Sequence, residues 1–93
     1  MPRPRKIRKI SFSPNAHYYK PLGVPLRTLE EVNVSYEEME SLRLKHFEKL
    51  EQTGAAEKMQ ISQPTYNRHL NSALEKISIA MLKGKAIRIS DEK

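Results

Sequence analysis

The sequence predicts a mainly α fold: a three-helix domain whose second and third helices keep a helix-turn-helix rhythm. A short extended arm or strand precedes it and a short strand follows it. Three observations predict this. Ser35 stands three residues before Glu38 in "SYEEME", the pattern of a capping box. The stretch "GAAEKMQISQPTYNRHL", Gly54 to Leu70, reads as two short helices joined by a tight turn, the second opened by Ser62. Gly84 follows Lys83 after a run of about 21 residues, where a helix should stop.

In chain order, residues 1–34 read as a basic arm, a short strand and a proline-rich loop, and residues 35–93 as the helical domain. "MPRPRKIRKI" holds two prolines and the basic residues Arg3, Arg5, Lys6, Arg8 and Lys9. Proline fixes φ and removes donors, so residues 1–5 are expected extended and mobile. In "KIRKISF" the partial alternation places Ile10 and Phe12 on one face and suggests a strand. "SPNAHYYKPLGVPL" carries three prolines and a glycine and reads as a surface loop, with Tyr18 and Tyr19 anchoring it on the core. "EEVNV" reads as a brief extended piece.

The first helix is expected over about residues 36–46, with Met39 and Leu42 buried and Glu37 and Glu38 suiting the positive end of its dipole. "FEKLE" connects it to a second helix over about 52–59, with Ala55, Ala56 and Met59 inward. Ser62 caps the third helix, and Pro64 falls in its first turn, where a missing N–H does little harm. That helix, continued to Lys83, is about 31 Å long at the usual rise. "KAIRI" then alternates as a short strand.

Charge is distributed unevenly. There are 17 basic and 11 acidic residues, a net of +6. Residues 1–27 carry seven basic and no acidic side chains, residues 28–57 three and eight, and residues 58–90 six and one. Two basic blocks around an acidic one suggest a polyanion met by both ends. The acidic middle reads chiefly as a solvated helix face. Its lesser reading is a contact for RNA polymerase or for the basic head of a second subunit. The absence of cysteine excludes disulfides and thiolate metal sites and suits a cytoplasmic protein. No apolar run nears the roughly 20 residues of a membrane span, and no secretory signal is expected. His17, His46 and His69 have no metal-binding spacing, so neither metal nor cofactor is expected. One aspartate, no cysteine and no phosphate loop leave little for catalysis, so an enzyme is not expected.

A helix-turn-helix crosses two helices closely, and Ala56 supplies the small contact residue. Ile61 plugs the junction, and Tyr66, Leu70 and Ala73 hold the third helix on the body. Gln63, Thr65, Asn67, Arg68 and Asn71 are then left facing outward. Gln and Asn can read adenine, and Arg can read guanine, in a major groove. Residues 62–73 contain no acid for phosphates to repel. Two residues depart from the usual pattern: Gln60 stands where the turn usually takes glycine, and Gly54 lies inside the second helix.

"LRLKHFEKLEQTGAAEKMQISQPTYNRHLNSALEKI" resembles region four of bacterial sigma factors. More specifically, the "MPRPRKIRKISF" head, "YYKPLGVPL" and "GKAIRI" resemble a small uncharacterised bacterial and archaeal family whose members are taken to bind DNA. The resemblance covers about residues 1–89 and implies a DNA-binding role for Ser62, Gln63, Pro64, Thr65, Asn67 and Arg68.

The expectation is therefore a sequence-specific binder of double-stranded DNA, a transcriptional regulator. Helix 62–76 would enter the major groove, with Arg3, Arg5, Lys6, Arg8 and Lys9 on phosphates or in the minor groove. The alternatives are a protein-interaction adaptor on a sigma-like fold, and RNA binding. Ile77, Ile79, Ala80, Met81 and Leu82 are apolar nearly all round, so another surface must cover them. The end strands or a second copy could do so, and a homodimer is expected.

Overall fold

The computed structural model describes residues 18–91. The elements run β1 (Tyr18–Tyr19), β2 (Glu31–Val34), α1 (Tyr36–Leu42), α2 (Gln52–Met59), α3 (Gln63–Lys83) and β3 (Ala86–Ile89). A short 3-10 turn, Leu26–Thr28, lies in the proline loop. Among the described residues the fold is small and mainly helical, with three helices and one three-stranded sheet on which α3 packs. The arm, the strand expected over residues 6–12 and His17 lie outside the described residues.

The helix starts follow their caps. Ser35 Oγ accepts from the Glu38 amide at 3.2 Å, and the Glu38 carboxylate accepts from the Ser35 amide at 2.8 Å, which completes the capping box. Ser62 Oγ accepts from the Thr65 amide at 3.2 Å. Left-handed residues end two of the helices. Gln60 has φ 61° and ψ 43°, and Ile61 N–H reaches back to Ala56 C=O at 3.1 Å. Gly84 has φ 70°, and Lys85 N–H reaches Ala80 C=O at 2.8 Å.

The first helix runs one residue past its expected end. After Leu42 it widens into a π-helical turn over Arg43–Phe47, with Glu48 N–H on Arg43 C=O at 2.9 Å. Its buried face also differs from expectation. Ser41 and Leu44 are fully buried, whereas Met39 and Leu42 are half-buried. Glu37, Glu38 and Glu40 are buried as well, Glu40 to 2% exposure. So this part of the acidic middle is no solvated face. Charge alone suggests solvent, but Ser72 and Lys76 on α3 donate to Glu38, and Arg43 on the next turn donates to Glu40.

The core of the helix pair is Leu44, Ala55, Ala56, Met59, Tyr66 and Leu70, with Leu42, Leu50 and Ile61 packed against it. The inward positions expected on α2 and α3 are the ones observed. A second buried group, Val34, Ala73, Ala80, Ala86 and Ile89, lies where α3 meets the sheet.

The sheet order is β1-β3-β2. β3 pairs parallel with β2, Val32 opposite Ile87, and antiparallel with β1, Tyr19 opposite Ile87. All three helices therefore lie on the crossover between two parallel strands. Tyr18 and Tyr19 are tied in by backbone pairing and their side chains are exposed, so they do not anchor the loop on the core. The sheet buries Ala80 and half-buries Ile77 and Ile79, but Met81 and Leu82 remain 75% and 86% exposed.

Candidate nucleic-acid interface

α3 is fixed from behind before it offers anything to solvent. Tyr66 Oη donates to Ser41 C=O at 2.9 Å, and burial raises the phenol pKa above its ordinary value. Ser72 Oγ donates to Glu38 at 2.6 Å, and Lys76 Nζ donates to Glu38 at 3.1 Å and to Asn33 C=O at 2.9 Å. Burial opposes the Glu38 charge, yet the hydrogen bonds from Ser72, the Ser35 amide and Lys76, with the Lys76 charge, outweigh it. The carboxyl is held below its ordinary pKa. On α1, Glu40 receives Arg43 through two bonds of 2.9 Å, and Arg43 also reaches Glu48 at 2.8 Å. The Glu40 bond is the main cause that raises the Arg43 pKa, with burial acting against it.

This polar clamp is not evident from local sequence spacing. Only part of its signal is present: Ser72 and Lys76 stand four apart, on the flank of the apolar stripe Tyr66, Leu70 and Ala73. What local spacing does not report is that α1 turns Glu38 toward that flank.

One face of the N-terminal half of α3 is turned outward. Ser62, Gln63, Pro64, Arg68 and Asn71 are exposed, and Thr65 and Asn67 are half-buried. Thr65 is a local hub. Its hydroxyl oxygen accepts from Ser62 Oγ at 2.9 Å and from Arg68 Nη2 at 3.2 Å. Arg68 is thereby laid back along the helix toward the cap. Gln52, at the start of α2, donates to Gln63 at 2.9 Å and links the two helix starts. From Lys58 to Leu74 the chain carries no acid, while Lys58 and Arg68 are exposed cations. The outward side chains of this stretch offer donors and acceptors, and none of them is an acid that phosphates would repel. Arg3, Arg5, Lys6, Arg8 and Lys9 lie outside the described residues, so their place beside this face is not part of this geometry.

Among the described residues, no group of His, Asp and Glu side chains is arranged to hold a metal ion. No helix among them is long and apolar enough to cross a membrane. A pocket of about 390 Å³ is lined by Glu31, Asn33, Glu38, His69 and Lys76 among others, and so borders the Glu38–Lys76 pair.

A family model described as a protein of unknown function, DUF134, matches residues 1–92. A UPF0251 protein of Dehalococcoides mccartyi is 56% identical over 89 residues, covering 96% of this chain and 76% of that protein. One of Thermoanaerobacter pseudethanolicus is 48% identical over 89 residues, covering 96% and 75%. One of Moorella thermoacetica is 51% identical over 89 residues, covering 96% and 60%. No solved structure matches the chain.

Proposed function

We propose that this protein, which belongs to the DUF134 family of bacterial proteins, binds double-stranded DNA in a sequence-specific way and regulates transcription. In this reading α2, the turn at Gln60 and α3 act as a helix-turn-helix like that of sigma region four. The observation that carries it is the outward ridge of α3: Gln63, Arg68 and Asn71 exposed on a clamped helix, within a stretch free of acids. α3 enters the major groove by its N-terminal half, and Ser62, Pro64, Thr65 and Asn67 shape or line that end. The basic residues Arg3, Arg5, Lys6, Arg8 and Lys9 follow phosphates or enter the minor groove. No catalytic role is assigned to any residue.

Selection of bound duplexes from a random pool tests this. The expected result is an enriched motif, and replacing Arg68 with alanine should relax one position of it by about 1–3 kcal/mol. No duplex binding at about 50 mM salt would overturn the reading and favour an interaction adaptor. Preference for RNA over duplex DNA would favour the RNA-binding alternative.

The second partner in this proposal is another copy of the chain. Leu74, Met81 and Leu82 are exposed on α3 beyond the ridge, and two joined readers would double the contacts to DNA. Light scattering at micromolar concentration should give twice the chain mass. A monomer mass would remove the dimer from the proposal.

A further inference from the structure

The side-chain bond between the two helix starts has a consequence for which base is read. Gln52 and Gln63 are the first residues of α2 and α3. Both are exposed, and Gln52 Nε2 donates to Gln63 Oε1 at 2.9 Å. A free glutamine at a helix start samples several rotamers, and its amide can face either way. Here the bond to Gln52 favours one rotamer and keeps the Gln63 amide facing its partner. The Gln63 carbonyl oxygen is turned toward α2 and keeps one lone pair. Its Nε2 takes no part in that bond.

Adenine presents N7 as an acceptor and the N6 amino group as a donor in the major groove. A glutamine amide meets that edge with one donor and one acceptor, and both must face it together. The second lone pair of Oε1 and the Nε2 hydrogens of Gln63 supply them. A guanine edge, which shows two acceptors there, matches this amide poorly. Arg68 is braced differently: its support, Thr65, lies within α3. Among the outward residues of α3, Gln63 is the one held by a side chain from α2.

We infer that Gln52 is a positioning residue that holds the Gln63 amide for bidentate reading of one adenine in the target. This rests on the DNA-binding reading above and adds to it a base and a supporting residue. An exposed bond contributes little to folding, so its removal should be felt in base preference and hardly in stability.

The test is selection from a random duplex pool with the full chain and with Gln52→Ala, Gln52→Glu, Gln63→Ala and the Gln52→Ala/Gln63→Ala pair, each checked for folding by thermal unfolding. Gln63→Ala should lower the adenine preference at one position about tenfold or more. Gln52→Ala should lower it at that same position by about threefold and leave the other positions and the salt slope alone. Gln52→Glu, which cannot donate to a carbonyl, should behave like Gln52→Ala, and the pair should match Gln63→Ala. Unchanged adenine preference in Gln52→Ala, an equal loss at every position, or simple additivity in the pair would overturn the inference while leaving DNA binding intact. Failure of the wild-type chain to enrich any sequence would instead overturn the DNA-binding reading, and this inference with it.

Discussion

Gln60 holds a left-handed conformation, φ 61° and ψ 43°, that glycine adopts without the Cβ penalty. The sequence showed that a turn was needed here and that its residue was the wrong type. Only the dihedral shows that the strain is real. Gln60→Gly should therefore stabilise the fold, by up to about 1 kcal/mol, read as a higher denaturant midpoint at unchanged slope. A lower midpoint would mean that the Gln60 side chain contributes more than its backbone costs. Gly54 is the opposite case. It lies in the first turns of α2, and a Cβ built there meets nothing within 4 Å. Gly54→Ala should raise stability by about 0.4–1 kcal/mol through the unfolded chain.

At the level of elements, α1 and α3 are joined by a polar clamp as well as by apolar contact. The capping box was legible because both partners are three residues apart. The second use of Glu38, as acceptor for Ser72 and Lys76, spans 34 and 38 residues. The clamp makes a pH prediction. The folded Glu38 carboxyl titrates below its unfolded value. Its contribution to stability is thus complete above the ordinary carboxylate range and is lost as pH falls through the folded value. Glutamine also serves in a capping box, so Glu38→Gln should fold and should lose less stability than wild type between about pH 7 and about pH 3. Equal losses, followed by urea unfolding at each pH, would mean that other carboxylates govern the acid limb.

α3 itself changes character along one exposed stripe. Gln63, Asn67 and Asn71 continue at helical spacing into Leu74, Ser78 and Met81. The polar half suits a base edge and the apolar half suits a protein. By sequence the far end is apolar nearly all round. The sheet resolves that ambiguity by covering Ala80 and leaving Met81 and Leu82 outside.

For the whole molecule, the proposed division of labour is between a ridge that selects and an arm that attracts. Deleting residues 1–9 removes Arg3, Arg5, Lys6, Arg8 and Lys9. Binding to all duplexes should weaken alike. The log–log salt slope should flatten by up to about 4.5, at about 0.9 for each phosphate released. The selected motif should stay the same. A changed motif on this deletion would place base reading in the arm.

The sequence by itself determined the three helices, the caps of α1 and α3, the inward stripe of α3 and the two short strands around the helical run. These rest on spacings of a few residues, where propensity and periodicity act directly. Tertiary structure alone decided how those strands pair, since Val34 and Ile89 meet across 55 residues of chain. It also decided which glutamates are buried, and that Gln52 braces Gln63. The physical reason is that a charge or an amide is neutral evidence until its partner is known. Burial becomes favourable only where another element delivers the matching donor, and no local pattern reports which element that will be.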